Sequence, residues 1–189
     1  MSINTYYSSA KSYIKHGKFE EAKNELQGMR NIGAGLDPTK LRKIAIISIL
    51  LNPKETPKEL EKASELVEQN CESHKRKPLG LSTMGAENGK ELAKLAKQYF
   101  RLNNNYTATR LIKDAIIWTS NEGRYLEKMM AYFKIAKILN NANQGPQLVE
   151  LVKQMEPSIV DSSYDVESLF SWCLQVSTYL CNVDKEYGK

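Results

Sequence analysis

Residues that could perform catalysis or bind a metal are few in this chain of 189 residues. It has two histidines, His16 and His74, so only two side chains have an ordinary pKa suited to proton transfer near neutral pH. The segment Cys71-Glu-Ser-His74 has the spacing of half a metal site, but no second pair of similar ligands accompanies it. These residues alone therefore predict neither a metal site nor a histidine-based reaction.

Motifs of the common enzyme classes are also missing from the sequence. It contains no glycine-rich phosphate loop, no HExxH, no CxxC pair and no GxSxG. Asp161, Asp165 and Glu167 lie at the start of the last predicted helix, where the helix dipole favours carboxylates, and this accounts for them better than an acid/base pair does. We therefore predict a protein without enzymatic activity, cofactor or metal.

Cysteine spacing and hydropathy indicate the cellular location to expect for this protein. The three cysteines are unevenly spaced, which does not fit a disulfide framework and indicates a reducing location, cytoplasmic or nuclear. No apolar run approaches the roughly 20 residues that a membrane span requires. We expect an intracellular protein without membrane contact.

Charge is distributed unevenly along the chain, whose formal net charge is +5. Residues 71–101 carry seven cations and three acids, whereas residues 156–189 carry two cations and six acids. The loop His74-Lys75-Arg76-Lys77-Pro78 could serve as a nuclear-import patch or a phosphate contact, or simply be a solvated loop. This polarity favours an acidic partner or contact between copies, and it leaves nucleic-acid binding through the 71–101 tract as an alternative.

Apolar residues recur with the helical period almost from end to end, and strand-like alternation is nearly absent, so we predict an all-α fold. Gly17 ends the first helix, Asp37-Pro38 starts the third and Asn52-Pro53 ends it. Thr56-Pro57-Lys58-Glu59 reads as a capping box that restarts the chain as helix four. The predicted elements are four hairpins at about 3–30, 38–70, 87–120 and 122–155, a final helix at about 164–182, and a long irregular connection at 71–86.

Three of these hairpins share one spacing. A small residue in the first helix is followed twelve positions later by a small or apolar residue in the second, at Ala10 and Ala22, Ala96 and Ala108, and Ala136 and Leu148. Alanine at a crossing lets two helices approach, because a larger side chain would overpack it at a cost of about 1–3 kcal/mol. The repeated spacing predicts antiparallel helix pairs stacked as a solenoid.

This pattern resembles the tetratricopeptide-repeat superfamily, whose 34-residue hairpin has small and bulky residues at fixed places. The first and third hairpins match that pattern by residue type, whereas 122–155 matches more loosely and 38–70 needs an insertion at Asn52–Thr56. The resemblance implies a right-handed solenoid of about nine helices in a single domain, 1–189. The final helix has no partner helix after it, so we expect it to cap the array or the array to continue beyond Lys189.

In that family the first helix of each hairpin lines a groove that binds partners. Carried onto this chain, the resemblance implies these partner-binding residues: Tyr7, Lys11, Lys15, Lys90, Lys97, Phe100, Arg101, Phe133 and Lys137. Cations mixed with aromatic anchors suit an acidic peptide or partner helix. We therefore predict a protein–protein interaction module, acting as an adaptor or assembly subunit, with self-association through the apolar final helix as a further expectation.

Overall fold

A computed structural model describes residues 1–33, 35, 37–75, 84–160, 171, 174–179 and 181, with the backbone alone for 74–75 and 156–160. Within these residues the chain forms eight helices and no strand, and residues 171, 174–179 and 181 are also helical. The helices are α1 (Ile3–Lys15), α2 (Phe19–Ile32), α3 (Pro38–Leu51), α4 (Lys58–Lys75), α5 (Gly85–Arg101), α6 (Asn105–Ser120), α7 (Tyr125–Asn141) and α8 (Gly145–Val160). The predicted all-α class is confirmed.

The helices belong to two compact units. Unit 1 comprises Met1–Ser73 with Gln98–Asn104, and unit 2 comprises His74–Lys97 with Asn105–Lys189, so α5 contributes to both. None of the helices in the described part of the chain is long and apolar enough to cross a membrane.

The core of unit 1 is aliphatic. α1 packs on α2 and α3, and α2 also packs on α3. Buried side chains here include Leu26, Met29, Leu41, Ile44, Ile47 and Leu60. Arg30 Nε of α2 donates to Glu59 Oε1 of α4 at 2.8 Å, and the hydroxyls of Ser64 on α4 and Tyr99 on α5 lie 3.3 Å apart.

In unit 2, α7 packs on both α6 and α8. The interior again consists of large apolar side chains, and each of the following is at most 2% exposed: Leu92, Leu95, Leu111, Ile112, Met129, Tyr132, Ile135, Leu139, Leu148 and Met155. The Tyr132 phenol belongs to this core, and burial raises its pKa above the ordinary value.

The start of α3 agrees with the prediction from the sequence, whereas the start of α4 differs from it. Asp37 caps α3, since its Oδ1 accepts from the N–H groups of Thr39 at 2.9 Å and Lys40 at 3.1 Å. The capping box expected at Thr56 is wrong: α4 begins at Lys58, and the first helical bonds run to the carbonyl of Pro57. Glu59 is drawn away from the helix start because it pairs with Arg30 of α2.

α4 also ends later than expected. The irregular connection predicted at 71–86 is wrong for residues 71–75, which are helical, and for Gly85 and Ala86, which begin α5. Cys71 is 5% exposed and continues the buried stripe of Leu60, Ala63 and Val67 by one more turn. A free cysteine behaves as a small apolar residue, so the buried face of α4 continues beyond residue 70.

Three hairpin turns have the same geometry. Gly17, Asn103 and Asn143 occupy the left-handed backbone region, with φ of 72°, 57° and 54°. In each turn the N–H of the next residue bonds the carbonyl five positions earlier at 2.9 Å, namely Lys18 to Tyr13, Asn104 to Tyr99 and Gln144 to Leu139. This is the Schellman arrangement. Asparagine tolerates the left-handed region, so it replaces the glycine of the first turn without changing the turn.

The residues that the sequence pairs across each hairpin are fully buried. Ala10, Ala22, Ala96, Ala108, Ala136 and Leu148 are all 0% exposed. α5 and α6 approach each other closely at Gly89. A β-carbon placed on this residue would lie 2.2 Å from Thr119 Oγ1 and 2.9 Å from the Ala115 carbonyl oxygen. The backbones of the two helices therefore approach each other at this point, and the packing of α5 on α6 depends on the absence of a side chain at Gly89.

We predict that Gly89→Ala lowers the free energy of unfolding by about 1–3 kcal/mol through overpacking. Alanine has a higher helix propensity than glycine by about 1 kcal/mol. A loss of stability would therefore show that overpacking at the crossing costs more than the gain in helix propensity. Urea titration followed by circular dichroism measures the change. Gly123→Ala is the matched control, because nothing lies within 4 Å of a β-carbon there. If both variants unfold like the parent, the close crossing is not real.

Candidate functional site

Two lysines flank one tyrosine ring on the outer side of α1 and α3. The ammonium of Lys11, one turn after Tyr7 on α1, lies 5.5 Å from the Tyr7 ring centroid. The ammonium of Lys43, from α3, lies 6.0 Å from the same centroid and donates to Asn4 Oδ1. Both distances are in the range of cation–π attraction. We call Asn4, Tyr7, Lys11 and Lys43 the α1–α3 cluster.

The α1–α3 cluster carries positive charge that no acid of the described residues neutralises. α1 and α3 contain no acidic residue. Among the described residues, no carboxylate forms an ion pair with Lys11, Lys43 or the exposed Lys15. An acidic group from outside the chain would therefore meet two ammonium groups and an aromatic face together.

The structure brings together Tyr7 and Lys11, which the sequence analysis proposed, and adds Lys43, which it missed. Lys43 lies in the hairpin that matches the repeat pattern least well, so no register was available to place it. The charge of α3 was a usable signal, since its first six residues include Lys40, Arg42 and Lys43.

The proposed residues of α5 are largely engaged within the chain. Lys90 has 14% of its side chain exposed, and its ammonium lies 3.5 Å from Glu127 Oε2 of α7. The guanidinium of Arg101 donates to Gln98 Oε1 at 3.0 Å. Lys97 and Phe100 are half-buried. Of these four residues, only Arg101 is exposed.

On α7 the proposed residues Phe133 and Lys137 differ in environment. The Phe133 ring packs against Tyr179 of the last helical segment, with centroids 6.2 Å apart, and is half-buried. Lys137 is exposed. Leu126 and Met130, at 55% and 45% exposure, are large apolar side chains on the same helix that the site prediction did not include.

The proposed site residues fall in both compact units. Tyr7, Lys11, Lys15, Phe100 and Arg101 belong to unit 1, and Lys90, Lys97, Phe133 and Lys137 belong to unit 2. Each set is therefore considered as a surface of its own unit.

A buried carboxylate fixes the start of α5 in unit 2. Glu122, in the α6–α7 turn, is 1% exposed and accepts from the N–H of Ala86 at 3.1 Å. It also accepts from the N–H of Arg124 at 3.1 Å and from Arg124 Nε at 3.2 Å. Burial opposes ionisation, but the Arg124 guanidinium and these N–H groups prevail and hold the pKa of Glu122 below its ordinary value.

Formal charge alternates along the order of helices. The odd-numbered helices α1, α3, α5 and α7 carry +2, +3, +2 and +2, whereas α2, α4, α6 and α8 carry −1, −2, +1 and −1. The excess of positive charge on the helical part of the chain therefore belongs to the first helix of each hairpin.

Unit 1 also contains an open cleft of about 560 Å³ between α2 and the α3–α4 connection. Its lining includes the cations Lys23, Arg30 and Lys58 and the acids Glu55 and Glu59. Arg30 spans the cleft to Glu59, so these charges largely balance one another. Within the described residues, no three His, Cys, Asp or Glu side chains come together as a metal site requires.

Comparison of the chain with family models, with curated proteins and with solved structures finds no match.

We predict that Glu122→Gln lowers the free energy of unfolding by about 1.5–3 kcal/mol near neutral pH, because charged hydrogen bonds are lost. The pKa of Glu122 in the folded protein lies below the ordinary 4.5. The stabilisation that the ionised Glu122 provides is therefore fully present above pH 4.5 and is lost as the pH falls through the folded pKa. The deficit of the variant should therefore shrink in acid.

Urea titrations at several pH values measure this deficit. Glu20→Gln is the control, since Glu20 is 81% exposed and pairs only with Lys23 on the surface, a contact worth about 0–1 kcal/mol. A deficit for Glu122→Gln that is equal at pH 7 and in acid would contradict the assigned role.

Proposed function

We propose that this chain is a non-enzymatic protein-interaction module, an adaptor or assembly subunit, that binds an acidic partner through the first helices of its hairpins. The α1–α3 cluster carries this proposal. It offers two ammonium groups around a half-buried aromatic ring, with no acid of the described residues paired to either lysine.

A right-handed solenoid similar to tetratricopeptide repeats is the architecture that we propose for this function. Its support is the repeated Schellman turn at Gly17, Asn103 and Asn143 and the burial of the paired small residues at the crossings. In such an array the first helices of successive hairpins form one continuous surface.

The alternation of charge supports an acidic partner. Every odd-numbered helix has a positive formal charge, so the surface of each of these helices attracts acidic groups. Lys15, exposed at the end of α1, extends this surface beyond the α1–α3 cluster. Electrostatic attraction of this kind speeds association, while aromatic contacts such as Tyr7 slow dissociation.

The alternative, nucleic-acid binding through residues 71–101, needs several cations that can reach phosphates. Within the described part of that tract, Lys90 pairs with Glu127 and Lys94 pairs with Glu91. Fewer cations are thus available for phosphate contacts than the composition suggests. An intracellular location, cytoplasmic or nuclear, remains part of the proposal.

We expect Lys11→Glu combined with Lys43→Glu to leave the protein folded, since Lys11 is exposed and Lys43 is only half-buried. The variant should lose about tenfold or more in binding of acidic partners, because two attractive charges become repulsive. Quantitative affinity capture from the source cells, followed by titration of each captured protein, measures the loss.

Lys113→Glu combined with Lys153→Glu is the matched control. It makes the same change in net charge at exposed positions on the even-numbered helices α6 and α8. Equal binding by the two variants would reject the α1–α3 cluster as the binding site. Strong, salt-dependent binding of an oligonucleotide by the parent protein would instead favour the nucleic-acid alternative.

A further inference from the structure

α7 has apolar residues on all sides, yet part of its surface is uncovered. Its buried positions include Met129, Tyr132, Ile135 and Leu139, which belong to the core of unit 2. Leu126 and Met130 point away from this core, at 55% and 45% exposure. A helix that is apolar all round is normally covered on all sides, so exposed large side chains here mark a surface that needs a partner.

The exposed residues continue into a regular stripe. Leu126, Met130, Phe133 and Lys137 follow one another at intervals of four, three and four residues, which places them on one side of the helix over about 16 Å. Phe133 is held in place by the Tyr179 ring at 6.2 Å, and Lys137 extends into solvent. We call these four residues the α7 face.

α7 itself carries more cations than acids. α7 carries Lys128, Lys134 and Lys137 against the single acid Glu127. Glu127 is already engaged, because its carboxylate lies 3.5 Å from the Lys90 ammonium and 3.8 Å from Arg124 Nη1. The apolar stripe therefore ends at the exposed Lys137, on a helix whose own cations outnumber its acids.

We propose that the α7 face docks an amphipathic helix of another protein, whose apolar stripe covers Leu126 and Met130 and whose flanking acidic residues pair with Lys137. This inference rests on the proposed function and names the partner of one surface. Apolar anchors at helical spacing fit the ridges of a second helix. An extended strand would need a sheet edge to pair with, and the described residues offer none.

A second copy of the chain fits this surface less well. Two α7 helices packed face to face would bring two helices of formal charge +2 together. Like charges at an interface oppose association, so the complementary partner is acidic.

Three synthetic peptides of 18 residues test the proposal on the purified protein. The first has leucines at helical spacing with glutamates beside them, the second replaces the glutamates with lysines, and the third scrambles the first so that the apolar stripe is lost. We expect only the first to bind, as measured by fluorescence anisotropy, and to gain helix by circular dichroism when it does.

Substitutions locate the contact. Met130→Glu should weaken binding of the first peptide by about tenfold or more, as expected for a buried anchor. Ile117→Glu is the matched control, because Ile117 is a large apolar residue at 57% exposure on α6, and it should leave the affinity unchanged. Lys137→Glu should slow association and reduce the dependence of affinity on salt.

The proposal is overturned if no peptide binds, if the lysine peptide binds as well as the glutamate peptide, or if Met130→Glu and Ile117→Glu act alike. A parent protein that dimerises in sedimentation experiments, and becomes monomeric with Met130→Glu, would assign the face to a second copy instead. The Lys11→Glu and Lys43→Glu variant separates this result from the proposed function, since it alters unit 1 and should still bind the glutamate peptide through α7.

Discussion

The close approach of helix backbones at small residues is the constraint on which this structure depends. At the α5–α6 crossing the space that a β-carbon of Gly89 would need is filled by Thr119 and the Ala115 carbonyl. The paired residues of two other hairpins, Ala10 with Ala22 and Ala136 with Leu148, are fully buried as well. Because so little side chain separates the helices, each pair can cross at only one register, and that register decides which residues face outward.

The crossings therefore determine which residues lie on the outward faces of the helices. With Ala10 committed to the interior of α1, Asn4, Tyr7 and Lys11 of this helix lie beside Lys43 of α3. On α7 the same commitment leaves Leu126 and Met130 without cover. The two surfaces differ in kind, since one combines charge with a single ring and the other combines an apolar stripe with a cation at its end. They can thus contribute in different ways to holding a partner, the first through the rate of encounter and the second through desolvated contact.

Features determined by nearby residues could be predicted from the sequence, and features determined by distant residues could not. The Asp37 cap, the turn at Gly17 and the burial of Ala96 and Ala108 depend on local patterns and appear as expected. Glu59 shows the limit, because its expected role at the start of α4 is overridden by Arg30, which is 29 residues away. Lys90 shows it again, since the sequence gives no indication that Glu127 lies beside it. The partner-binding role of the site residues comes from the family resemblance and from charge, and it stays a prediction.

The hydrogen bond from Ala86 to Glu122 has a consequence for the order in which the chain acquires structure. The two residues are 36 positions apart, so the first turn of α5 is completed by a carboxylate that is synthesised well after the helix itself. As the chain leaves the ribosome from its amino end, α1 to α3 can pack as soon as they emerge, whereas α5 must wait for the α6–α7 turn before its start is satisfied. The second half of the protein is thus expected to mature as a block rather than helix by helix, and a nascent chain that stops before Glu122 would present an α5 with a frayed beginning.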